Sequence, residues 1–103
     1  MVSRFAAVLP LLLAAVAPSV AHAADAATGA RLARQWCANC HVIDGADAAG
    51  AVPQGPPSFR TIAKRVSPGA LRAFLSHPHG QMPDLTLSRV EIDDLIAYIE
   101  RLR

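Results

Sequence analysis

The stretch WCANCHVID, Trp36 to Asp44, holds both cysteines of the chain, two residues apart, with a histidine directly after the second. A disulfide between them would close almost the shortest loop available, and loop closure stabilises more as the loop lengthens. What such a pair is for depends on the redox compartment. The N-terminus supplies that reading. Met1 to Arg4 carries one positive charge, Phe5 to Ala17 is a run of 13 uncharged residues, and Ala21-His22-Ala23 has the small-x-small pattern of a cleavage site. The apolar run is shorter than the ~20 residues of a spanning helix and is interrupted by Pro10. A secretory leader over residues 1–23 is therefore expected, cut between Ala23 and Ala24. One domain, residues 24–103, then works in the periplasm with no stable membrane span, and His22 is lost with the leader.

What remains is 80 residues with nine Arg and Lys against eight Asp and Glu. So even a balance points neither to nucleic acid nor to a polybasic membrane patch. Domains below ~70 to 80 residues usually need a disulfide, a metal or a cofactor to complete the core. The aromatic set after the leader is thin: Trp36, Phe59, Phe74 and Tyr98. Something other than side chains is expected at the centre.

Four helical segments can be placed, and no strand pattern or repeat is evident. From Asp25 as N-cap, a helix is expected through Ala26, Ala30 and Ala33 into the cysteine segment, with Gly29 inside it. An internal glycine costs ~1 kcal/mol relative to alanine, which points to close approach by another helix. Val42 to Pro57, rich in Gly, Ala and Pro, reads as a long loop. Ser58 caps a short helix with Phe59, Ile62, Ala63 and Val66 at helical spacing, ending before Ser67-Pro68. Pro68 sits at a favoured first helical position, Leu71, Phe74 and Leu75 share a face, and His77-Pro78 stops the helix. Ser88 and Glu91 form a capping box, Leu87 and Ile92 are placed to staple it, and Ile92, Leu95, Ile96, Ile99 and Leu102 make an apolar stripe.

Four chemistries compete for the cysteines. A thioredoxin-like C-x-x-C follows a strand and opens a helix, and no strand precedes this one. Zinc asks for four ligands, and the available completion, His77 and His79, has an unusual spacing. A short disulfide would staple little. Covalent haem attachment accounts for every position of C-x-x-C-H: two thiols on a tight turn reach the two vinyl groups of one macrocycle, and His41 reaches the iron from the same side. The expected cofactor is one haem c with its iron.

The second axial position decides function. Met82, in HGQMPDL, is the only methionine after the leader and lies in a Gly- and Pro-punctuated loop off any apolar helical face. A thioether favours ferrous iron and raises the reduction potential, which suits an electron carrier closed on both faces. His77 and His79 are the rival distal ligands. If Met82 were absent from the iron or labile, the protein would instead be a haem enzyme or gas sensor. A haem subunit of a larger dehydrogenase or oxidase would share all the chemistry and differ only in partnership.

Together, Gly29, Cys37-Ala-Asn-Cys40-His41, Gly55-Pro56, Met82-Pro83 and Leu95-Ile-Ala-Tyr98 resemble the class I cytochrome c family, in its small bacterial periplasmic monohaem form. The resemblance covers roughly Gly29 to Leu102. It implies an all-α cytochrome c-like fold of about four helices and long loops around one haem, ligated by His41 and Met82 and bonded to Cys37 and Cys40. It implies a non-catalytic carrier of single electrons, monomeric, between a donor and an acceptor protein of a respiratory or dehydrogenase pathway. It also implies that Gly29 lets the first helix cross the last against Leu95 and Tyr98, and that the Pro56 carbonyl, or that of Pro53 or Pro57, accepts a hydrogen bond from His41. Where the family usually has an aromatic residue four positions after the glycine, this chain has Ala33, which implies a thinner crossing. Trp36 is expected to be partly buried, and Arg60, Lys64, Arg65 and Arg72 to be solvated.

Overall fold

The first helix begins where the sequence places its cap. In a computed structural model, which describes residues 1–2, 10–18, 22–46, 55–78 and 80–103, α1 spans Ala26–Trp36. The Asp25 carboxylate accepts from the Ala27 N–H at 2.9 Å and the Thr28 hydroxyl at 2.8 Å, satisfying donors that a helix start leaves open. The buried face of α1 is Ala26, Gly29 and Ala33, a stripe of small residues that admits another backbone. That backbone belongs to α4, Arg89–Glu100. A Cβ on Gly29 would meet the Asp94 carbonyl group, 2.6 Å from its carbon, and would stand 3.0 Å from the Leu95 nitrogen. Ala33 is fully covered, so the small residue brings the helices closer and leaves no thin spot at the crossing.

The expected continuation of α1 into the cysteine segment does not occur. The helix ends at Trp36, and Cys37 caps it with its N–H on the Ala33 carbonyl. Ala38 N–H, five residues on, donates to the same carbonyl at 3.0 Å, which widens the last turn and carries the chain out of the helix.

Two short helices follow. α2, Phe59–Arg65, starts on the Ser58 hydroxyl, and α3, Pro68–Ser76, starts on that of Ser67 with proline in its first turn. They bury Phe59 and Ala63, and Leu71 and Leu75, respectively. The capping box of α4 is formed in both directions, with Glu91 N–H on Ser88 Oγ at 3.2 Å and Ser88 N–H on Glu91 Oε2 at 2.8 Å. α4 buries Ile92, Leu95, Ile96 and Ile99. It is the spine of the domain, packed against all three other helices. Among the described residues there is no strand and no helix long and apolar enough to cross a membrane. The fold is all-α, as expected.

Candidate haem site

The turn after α1 sets the geometry of the motif. The Cys37 carbonyl accepts from both Cys40 N–H, at 3.1 Å, and His41 N–H, at 2.9 Å, and this folds both cysteines and the histidine toward one side. Both cysteines are free thiols, Cys37 buried and Cys40 exposed. Burial pushes the Cys37 thiol pKa up.

Cys37, Cys40 and His41 open onto a cavity of about 960 Å³, at the top of the roughly 300–1,000 Å³ range of small-molecule and cofactor sites. Its wall is apolar, with Ile62 from α2, Leu71 and Phe74 from α3, and Leu95 and Ile99 from α4. Among the described residues, no Asp, Glu, Lys or Arg lines it. Met82 is on the same wall, in the segment between α3 and α4. His77 also lines the cavity; the other rival, His79, lies outside the described residues.

His41 is held by Pro57. Its Nδ1 stands 2.7 Å from the Pro57 carbonyl oxygen, which can only accept, so Nδ1 carries the proton and Nε2 keeps a free lone pair. The expected partner, Pro56, is thus corrected by one residue; Pro53 lies outside the described residues. The reason is register. Phe59 N–H donates to the Val42 carbonyl at 2.9 Å, and Ser58, with ψ of 155°, keeps the chain extended before it. In an extended chain, polar groups two residues apart face the same side. The Pro57 carbonyl accordingly faces the motif.

The segment after the motif is pinned a third time by the Tyr98 hydroxyl, which donates to the Ile43 carbonyl at 2.6 Å. Phe59 bridges the two ends, with its ring centroid 5.6 Å from that of His41 and 6.4 Å from that of Tyr98. None of the motifs marks the Tyr98 bond, which joins residues 55 positions apart; the sequence placed Tyr98 only at the helix crossing. Two smaller expectations are also corrected. Trp36, the last residue of α1, is 52% exposed and takes no part in the cavity wall. Arg60 is not a solvated side chain, since its Nη1 donates to the Gly45 carbonyl at 2.9 Å and fastens the loop start to α2.

The residues present fit haem c. Two thiols, an imidazole with one free nitrogen and a thioether share one apolar cavity, a donor set suited to holding and tuning haem iron rather than to zinc. The family model described as "Cytochrome C oxidase, cbb3-type, subunit III" matches residues 24–99. The chain belongs to the cytochrome c family. It is 44% identical over 95 residues to cytochrome c-552 of Bradyrhizobium diazoefficiens, an alignment covering 90% of this chain and 89% of the relative. No solved structure matches it. The chain is therefore a monohaem c-type cytochrome with covalently bound haem c and its iron, and an electron-transfer protein.

Proposed function

We propose that this cytochrome is a periplasmic carrier of single electrons, with haem bonded through Cys37 and Cys40 and iron held by His41 and Met82. The observation that carries the reading is the convergence of those four side chains on one apolar cavity. The haem supplies an iron that alternates between ferric and ferrous states. The protein's part is to hold both axial donors in place through the change. The Pro57 carbonyl fixes the His41 ring and raises its basicity. Apolar walls from α2, α3 and α4 keep water out and favour the less charged, reduced state.

Export fits the same reading. The family match begins at residue 24, the residue expected to open the mature chain once the leader is cut after Ala23. The domain then runs from 24 to 103, works as a monomer, and meets a donor and an acceptor protein. A second reading has its own support. The description of the matched family is that of an oxidase subunit, so this domain could serve as the haem subunit of a larger complex. Co-purification of a larger chain from the native host would favour that reading, and a monomer on gel filtration the free carrier.

The test of ligation is the absorption spectrum of protein matured in a haem-attaching host, recorded ferric, ferrous and ferrous with carbon monoxide. A low-spin ferrous spectrum, a weak far-red sulfur-to-iron band and no response to the gas are expected. Met82→Ala should keep covalent haem yet bind carbon monoxide readily. A wild-type ferric spectrum in that variant would transfer the distal role to His77 or His79. Gas binding by the wild type would favour an enzyme or sensor.

A further inference from the structure

Asp94 is a buried charge that the haem site does not use. Its carboxylate lies on the side of α4 facing α1 and is 3% exposed, and a carboxylate so far from water needs hydrogen bonds or a cation. Its Oδ1 accepts from the Asp25 N–H at 2.7 Å, and His22 Nε2 stands 3.3 Å away. Among the described residues no Lys or Arg pairs with it; the cation nearby, Arg72, is bound to Asp93. His22 belongs to the segment upstream of the proposed cut and is half exposed.

We propose that Asp94 is a receptor for the α-ammonium group of the mature chain at Ala24. The inference rests on removal of residues 1–23. In that cleavage, water adds across the Ala23–Ala24 peptide bond. Ala23 leaves with the carboxylate, and the Ala24 nitrogen becomes an amine that takes up a proton. His22 is lost from Asp94 in the same event. The new ammonium is one residue from Asp25, and successive backbone nitrogens lie about 3 to 3.6 Å apart. It therefore forms within about 6 Å of Asp94 Oδ1, with three N–H donors free to turn toward it, a range at which opposite charge holds a group in its charged form.

The surroundings favour the pairing. A cation at a helix start is opposed by the helix dipole, and here two carboxylates offset it. Asp25 is held ionised by Thr28 and Ala27, its pKa lowered. Arg31 turns its Nη2 to the Thr28 hydroxyl at 2.9 Å. On α4, Asp93 is paired with Arg72, and Glu91 with the Ser88 N–H. Leader removal thus exchanges a half-exposed imidazole for a full charge and completes the crossing of α1 and α4.

The experiment uses the mature, haem-loaded protein. Mass spectrometry establishes the first residue, and an NMR titration of the Ala24 methyl follows the α-amino group. Its pKa should lie about one unit above the ordinary value of about 7.7–8.0. It should fall back in Asp94→Asn, whose amide oxygen still accepts the Asp25 N–H. It should also fall back, read there at the methylene of the new first glycine, when Gly-Gly is inserted between Ala23 and Ala24, which moves the ammonium away and leaves Asp94 untouched. The insertion decides the matter if the Asn variant does not fold. A chain beginning elsewhere overturns the leader reading and this one with it. A chain beginning at Ala24 whose α-amino pKa is ordinary, or unmoved by the insertion, overturns this one alone.

Discussion

Gly29 carries more of the fold than its size suggests, because the space for its missing side chain is occupied by the Asp94 carbonyl group and the Leu95 nitrogen. These are backbone atoms in mid-helix and cannot swing aside. Gly29→Ala would gain some helix propensity, less than about 1 kcal/mol. The overpacking it creates costs about 3 kcal/mol or more, since whole helices must separate. Overpacking therefore outweighs propensity, and guanidinium unfolding of the haem-loaded protein should show a net loss of stability. This residue was legible in the sequence, as an interior glycine with no turn to justify it. The partner of His41 was legible only as one of three prolines. The choice among them depends on which carbonyls of an extended segment face the motif, and that is fixed by the Phe59 to Val42 hydrogen bond, a long-range contact without local signature.

At the scale of elements, helix starts were read well and helix ends less so. Asp25, Ser58 and Ser88 cap where expected because a capping hydroxyl or carboxylate acts on N–H groups two or three residues away. The end of α1 was misjudged because no Gly or Pro follows Trp36 to break the helix, and the stop at Trp36 comes from the turn around the Cys37 carbonyl. α4 also reaches beyond its own packing, through Tyr98. Tyr98→Phe removes the donor to the Ile43 carbonyl, leaving a part-buried acceptor unpaired at a cost of about 1 to 2 kcal/mol. Chemical denaturation should detect it, and haem should stay attached. The cap of α1 carries a pH dependence of definite sign. The folded-state pKa of Asp25 is depressed below its ordinary 3.8 by the Thr28 and Ala27 hydrogen bonds. Its stabilisation is therefore complete above that value and is lost as pH falls through the lowered one. Thermal midpoints measured down that range should fall less steeply in Asp25→Asn.

Over the whole molecule, α1, α2 and α3 each pack on α4, and the cavity opens beside the core they form. The sequence predicted a filled centre from a shortage of aromatics, and the cavity has the size and chemistry for that filling. Among the described residues no charged side chain lines the cavity, while the exposed tryptophan stands just outside it, bonded to the first cysteine of the motif. Because Trp36 is the only tryptophan, its fluorescence comes from one known place. A haem tethered at the next residue quenches that emission by energy transfer, and the thioether keeps the two together even after the helices have melted. Steady-state emission should therefore be dark in both folded and denatured holoprotein and bright in chains with Cys37→Ala and Cys40→Ala. The indole would act as a light that reports whether the cofactor has been attached and ignores whether the chain is folded.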